Sequence, residues 1–360
     1  MPRPILIVHG GAGTIPEERH AAAVEGCRRA AQAGWSILEA GGSALDAVEA
    51  AVRTLEEDPT FNAGRGSVRT RAGTVEMDAL IMEGTTLRAG AVAAVRRVCH
   101  PVLLARAVME RTPHVLLVGP AAEALAELLG LPMADDAELA APRDAVGGAL
   151  LRADGPADLR EVLARALSEP MDTVGAAAMD AVGRLAAAVS TGGMSNKWPG
   201  RVGDSAPIGC GADADDRSGA AVAMGRGETL MRVVIAKTAC DFVALGLSTP
   251  GAVTAAIRRL EERVDRQGRR IAIDREGHIG IAHNMPHMSW VWTAGHMLEA
   301  GIRASGERGA WSPASPEPLE LEAEPQGDPA EDPGEARGLV GEHIQLLPQD
   351  PGLIEIGGPG

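Results

Sequence analysis

Apolar residues along the chain fall into blocks of changing period, and those blocks predict the elements. Ile5-Leu6-Ile7-Val8 is a continuous apolar run of the kind a buried strand shows, and it leads into a glycine-rich turn, His9-Gly-Gly-Ala-Gly13. Helices are predicted over about 17–40 and 43–57. The second opens on Ser43-Ala-Leu-Asp46, a capping box with Asp in the Glu position, and sets apolar residues at 45, 48, 52 and 55. Alternation over 67–82 around Ala72-Gly73 predicts a hairpin, and a strand at 114–118 precedes an Ala/Leu-rich helix from about 121. Residues 132–157, rich in Asp, Gly and Pro, read as a connector before a short helix at 158–168. The small-residue runs Val174 to Met179 and Leu185 to Ser190, joined at Asp180-Ala-Val-Gly183, predict a tightly packed antiparallel pair. Beyond residue 228 the pattern predicts helices over about 229–246 and 250–264, then strands near 271–274 and 279–283. Strands mixed with long helices, without regular βαβ alternation, favour a layered α+β fold.

Composition narrows the class. With 45% hydrophobic residues the chain can fill a core, and with two Phe, five Trp and no Tyr that core is aliphatic and offers no stacking platform for bases. The 34 basic and 49 acidic residues leave a net charge of −15, which argues against a nucleic acid or an anionic membrane as partner. Residues 305–360 hold 12 acidic residues, two arginines and nine of the 24 prolines. Such a segment buries too little apolar surface to offset its ordering entropy, so a folded part over 1–304 and a disordered acidic tail over 305–360 are expected. Cys27, Cys99, Cys210 and Cys240 lie far apart without CxxC spacing and are expected as buried free thiols. The apolar run after Met1 is too short for a signal peptide and no stretch approaches a membrane span, so a reducing, cytoplasmic setting is expected.

Several chemistries drop out. His9–Gly13 lacks the Lys-Ser/Thr of a P-loop, His283 and His287 have Pro286 between them and no HExxH around them, and no GxSxG elbow is present. The densest polar cluster is Ser190-Thr-Gly-Gly-Met-Ser-Asn-Lys-Trp-Pro-Gly-Arg-Val-Gly-Asp-Ser205. Its glycines allow close backbone approach, and Arg201 with Asp204 suits the carboxylate and ammonium of an α-amino acid. An ordinary polar loop with a surface ion pair accounts for the same residues.

The blocks His9-Gly-Gly-Ala-Gly13, Gly41-Gly-Ser-Ala-Leu-Asp-Ala-Val48 and Leu55-Glu-Glu-Asp-Pro-Thr-Phe-Asn-Ala-Gly64 occur in that order. Asp172-Thr-Val-Gly-Ala176, Ser190-Thr-Gly-Gly-Met194, Asn196-Lys197, Gly200-Arg-Val-Gly-Asp-Ser205 and Gly225-Arg-Gly-Glu228 follow. Together, over about residues 4–302, they resemble the plant-type L-asparaginase and isoaspartyl peptidase family, relatives of glycosylasparaginase among the N-terminal nucleophile hydrolases. The resemblance implies a four-layer αββα sandwich made as an inactive precursor that cleaves itself between Asp172 and Thr173. The new α-amine, with a reference pKa of about 8, then takes the proton of its own hydroxyl. It further implies a heterodimer of the cleaved subunits assembling into a dimer of heterodimers, acting on asparagine or β-aspartyl dipeptides through a covalent aspartyl-enzyme on Thr173.

By the same resemblance Thr191 orients the nucleophile, Asn62 supports the site, and the Gly225 N–H serves the oxyanion. Arg201 clamps the substrate carboxylate, and Asp204 with the Gly227 carbonyl holds its ammonium. No cofactor is required. A structural sodium ion is implied on the backbone carbonyls of Leu55, Glu56, Asp58, Phe61, Ala63 and Arg65. Three positions depart from the pattern. Asp172 replaces the usual Gly, as in the glycosylasparaginase branch, Met171 replaces a common His, and Met224 replaces the threonine that helps form the oxyanion hole. Two rivals follow, a glycosylasparaginase-like specificity and a catalytically weakened homologue with a binding role.

Overall fold

The structure, a computed structural model, describes residues 2–13, 15–141, 173–264, 268–283 and 287–302. The helix expected at 158–168, Met171, Asp172 and the tail from 305 lie outside these residues.

Twelve strands form two sheets among the described residues. The larger uses β1 (Ile5–Gly13), β2 (Met77–Glu83), β3 (Ala89–Val95), β4 (Leu116–Val118), β5 (Val174–Met179), β6 (Leu185–Thr191), β11 (His287–Ala294) and β12 (Met297–Ile302), in the order β12-β11-β1-β5-β6-β2-β3-β4. The smaller runs β10-β9-β8-β7, from β7 (Ala212–Asp215), β8 (Gly219–Gly225), β9 (Gly268–Asp274) and β10 (Ile279–His283). Most of the predicted elements are present near their expected positions, whereas β3, β7, β8, β11, β12 and the helix Pro101–Arg111 had no predicted counterpart. The two small-residue runs pair antiparallel from Val174↔Ser190 to Met179↔Leu185.

Alternation sorts the strand residues between two cores. Leu6, Val8, Ala176, Ala178, Ala186 and Ala188 face helices α1 (Glu17–Glu39), α2 (Ala44–Glu57), α3 (Pro101–Arg111) and α4 (Pro120–Leu128). Ile5, Ile7, Ala177, Met179, Ala187 and Val189 face the smaller sheet, meeting Val222, Met224 and Ile271. That sheet turns Ala221, Ala272 and Ala282 outward, beneath residues of the helices Ile235–Ala244 and Thr249–Val264. Ser43 caps α2 as expected, accepting the Asp46 N–H at 3.1 Å and donating to its carboxylate at 2.6 Å.

Three expectations change. The glycine-rich stretch His9–Gly13 is not a turn. It continues β1 with a shift in its pairing to β11 between His9 and Ala12, and a Cβ on Gly10 would lie 2.3 Å from the Phe61 ring, so its glycine serves a close approach. The hairpin at 67–82 is confined to the Arg69↔Val75 bridge and the Thr70 N–H to Thr74 carbonyl bond of 2.7 Å, because β2 leaves it to pair with β3 and β6. The helix expected at 229–246 is two, α6 (Gly227–Val233) and α7 (Ile235–Ala244), broken where Val234 takes φ 46° and ψ 61°. The helix Thr249–Val264 is α8, and a four-residue helix, α5 (Asp136–Leu139), lies within the expected connector. All four cysteines are buried and free. No helix among the described residues is long and apolar enough to cross a membrane.

Candidate active site

The β5–β6 register builds the first half of the site. Thr173 precedes β5 and Thr191 ends β6, so the Val174↔Ser190 pairing sets the two threonines side by side. Thr173 is buried, and its Oγ1 donates to Thr191 Oγ1 at 3.2 Å. Thr191 Oγ1 also accepts the Gly193 N–H at 2.9 Å, which fixes the acceptor. Gly193 holds that turn at φ +76°, a conformation that favours glycine. Asn62 braces the same turn through its backbone carbonyl, which accepts the Gly192 N–H at 2.8 Å, and its Nδ2, which donates to the Gly193 carbonyl at 2.7 Å. Asn62 Oδ1 accepts the Val68 N–H at 2.9 Å. Its side chain therefore acts on the turn that orients Thr191.

The second half is the loop after β6. Trp198-Pro-Gly-Arg201 closes a turn with the Arg201 N–H on the Trp198 carbonyl at 2.9 Å and Gly200 at φ +82°. Two carboxylates at the start of β2 hold the loop by its backbone: Glu76 accepts the Gly200 N–H at 2.7 Å and Asp78 the Gly203 N–H at 3.1 Å. Arg201 pairs through Nε with Glu228 at 2.9 Å. Burial raises the Glu228 carboxyl, but the Arg201 hydrogen bond and charge outweigh it and hold Glu228 below its ordinary range. Gly227 lies against both anchors, since a Cβ there would be 2.8 Å from Arg201 Nη2 and 3.0 Å from Asp204 Oδ1.

Asp204 is only 4% exposed, and its Oδ2 has no hydrogen-bond partner among the described residues. Burial pushes its carboxyl up to about 7, against the opposing charge of Arg201. A buried carboxylate with an unmet acceptor calls for an incoming cation. Thr173, Thr191, Gly193, Met194, Arg201, Asp204 and Gly225 line one pocket. Thus Thr173, Thr191, Arg201, Asp204 and Gly225 converge from distant segments, while Asn62 and Gly227 stand just behind them. Met224 belongs to the buried core between the sheets and is absent from that lining.

In the loop after α2, the Glu56 carbonyl accepts the Arg65 N–H at 2.7 Å and the Asp58 carbonyl the Phe61 N–H at 3.1 Å. Gly64 and Gly66 take φ +51° and +108°, and Cβ atoms there would lie 2.4 Å from the Glu56 carbonyl and 2.3 Å from the Phe61 carbonyl. Those approaches require glycine at both positions and fix the loop that carries the carbonyls of Leu55, Glu56, Asp58, Phe61, Ala63 and Arg65, which are oxygen donors of the type a hard cation such as sodium takes. Sequence reasoning missed the side chain of Glu56, which accepts the Val102 N–H at the start of α3 at 3.0 Å and meets His100 Nδ1 at 3.5 Å. It also passed over Glu76 and Asp78. The signal for Asp78 is a charged residue placed before the apolar run Ala79–Met82 of a buried strand.

The family model described as Asparaginase matches residues 2–302. The chain is 40% identical over 299 residues to the isoaspartyl peptidase/L-asparaginase of Danio rerio, covering 83% of this chain and 95% of that protein. It is 41% identical over 321 residues to the isoaspartyl peptidase of Salmonella typhimurium, covering 84% and 99%. To the plant-type L-asparaginase of Pyrococcus abyssi it is 43% identical over 305 residues, covering 82% and 99%.

Proposed function

The chain belongs to the asparaginase family, and from that premise we propose that it hydrolyses L-asparagine and β-aspartyl dipeptides with Thr173 as nucleophile. One observation carries the reading: the unmet Asp204 carboxylate shares a pocket with the Arg201 guanidinium and the Thr173–Thr191 hydroxyl pair. Those groups match the ammonium, the carboxylate and the scissile amide of an aspartyl substrate.

Self-cleavage between Asp172 and Thr173 supplies the base, the free α-amine of Thr173. The Thr173 oxygen attacks the side-chain carbonyl carbon, and its proton passes to the α-amine. The Gly225 N–H stabilises the oxyanion, and the amine returns the proton as the C–N bond breaks and ammonia or an amino acid leaves. Water, deprotonated by the same amine, cleaves the aspartyl ester and releases aspartate. Arg201 binds the α-carboxylate in a fork, and Asp204 with the Gly227 carbonyl binds the ammonium.

The two sheets, each with helices on its outer side, support reading the fold as the αββα sandwich of the N-terminal nucleophile hydrolases. We assign catalysis to residues 1–304, as a heterodimer of cleaved subunits paired into a dimer of heterodimers. Sodium on the 55–65 carbonyls would stiffen the loop that carries Asn62. Four buried free thiols accord with a reducing, cytoplasmic setting. Intact-mass measurement with asparagine turnover tests the core of this. Fragments of residues 1–172 and 173–360 are expected, with Thr173→Ala remaining one inactive chain. A wild type that stays full length after prolonged incubation would support the weakened-homologue reading instead.

A further inference from the structure

Lys197 is 4% exposed, and the hydrolysis outlined above gives it no task. Its ammonium donates to a backbone carbonyl, that of Glu76, at 2.6 Å, rather than to a carboxylate. Burial of a lysine in that state is costly, and it holds the Lys197 pKa below the ordinary value, with Asp78 and Glu76 opposing that shift and Arg201 reinforcing it. The side chain lies directly under Gly193. A Cβ there would be 2.8 Å from Nζ and 3.0 Å from Cδ of Lys197, so the glycine is pressed onto the lysine stem. The N–H of that same Gly193 fixes Thr191 Oγ1, the acceptor for the nucleophile's hydroxyl. On its other side, the Lys197 carbonyl accepts the Arg71 N–H at 3.0 Å, and the chain runs on into the Arg201 turn.

We propose that Lys197 is a positioning residue for the Thr173–Thr191 pair: its ammonium, pinned on the start of β2, supports the Gly193 turn that aims Thr191 and places a positive charge behind the reacting hydroxyls. The proposal rests on Thr173 being the nucleophile. A lysine that only filled space would leave Met as an adequate substitute, because the two stems have similar length.

Lys197→Met and Lys197→Arg, compared with wild type over pH 6–11 with asparagine, test it. The Met variant is expected to lose about 10- to 100-fold in kcat, the scale of a small misplacement of reacting groups, with KM little changed. The Arg variant is expected to recover part of the loss. It should also carry the alkaline fall in kcat to higher pH than wild type, because a guanidinium keeps its proton where the lysine releases it. Wild-type kcat in the Met variant, or a loss confined to KM, overturns the proposal. So do equal losses in both variants with an unmoved alkaline limb. If wild type turned over neither asparagine nor β-aspartyl dipeptides, the functional reading would fall, and a crystal structure of Lys197→Met would decide this one. Loss of the Gly193 N–H to Thr191 Oγ1 bond upholds it, and retention of that bond refutes it.

Discussion

Asp204 shows how one buried atom sets both affinity and stability. Its carboxyl titrates at about 7, raised by burial from 3.8, and a substrate ammonium is held well only by the ionised form. The KM for asparagine should therefore fall as pH rises from 6 to 8, and Asp204→Asn should raise KM and flatten that dependence. The sign for stability is opposite. A carboxyl whose folded pKa is raised favours folding below its unfolded value of 3.8 and loses that contribution as pH rises through about 7. Thermal melts of substrate-free protein at pH 5 and pH 8 should differ less in Asp204→Asn than in wild type. Asp213, pushed up to about 6 by burial, adds a change of the same sign in both proteins. Met224 poses a different question. A thioether donates no hydrogen bond, so the oxyanion proposed at Gly225 lacks the hydroxyl usual in the family. Met224→Thr is expected to raise kcat several-fold. Met224 is also fully buried between the sheets, so the same change should cost about 1–3 kcal/mol of stability in a denaturant titration. Unchanged or lower turnover would mean that another donor already completes the hole.

The elements are joined by a few strained or capped points. Val234 separates α6 from α7 in the left-handed region, where a β-branched residue costs about 1–2 kcal/mol. It is 42% exposed, so little packing is lost on replacing it. Val234→Gly should raise unfolding free energy by up to about 1 kcal/mol, less the entropy glycine adds to the unfolded chain. A higher urea midpoint with unchanged slope would register that gain. At α3 the buried carboxylate of Glu56 serves as the cap that His100, the residue before the helix, does not provide. Burial raises the Glu56 carboxyl and His100 opposes that rise, while the hydrogen bond from the Val102 N–H joins the end of α2 to the start of α3.

Across the whole molecule, the site exists only because two segments distant in sequence share the large sheet. Val174 and Ser190 pair within one hairpin, yet the carboxylates that hold the Arg201 loop are Glu76 and Asp78 at the start of β2, 124 and 125 residues before the N–H groups they accept. The acidic, proline-rich composition of residues 305–360 offers little of the apolar surface that packing into this arrangement would need. Ending the chain after residue 304 should leave asparagine kcat/KM and the melting temperature unchanged. A fall in either would give the tail a structural role.

Local chemistry made much of this legible in the linear chain. Periodicity marked β1, α1, α2 and the β5–β6 pair, Ser43 announced its cap, and the polar loop over 190–205 offered Arg201 and Asp204, each signal depending on neighbours a few residues away. Thr173 and Thr191 stood out only through the resemblance of ordered blocks over residues 4–302, since alone Thr173 is a β-branched residue at the start of a strand. Long-range packing decided the rest. The His9–Gly13 stretch became strand because β11 and β5 pair with it, and Gly10 admits the Phe61 ring. Val234 broke a helix that its neighbours alone would continue. The contacts of Glu56 and Glu76, and the role proposed for Lys197, leave no mark in the linear pattern, because each depends on a hydrogen bond to backbone distant in sequence, and spacing along the chain carries no record of such a partner.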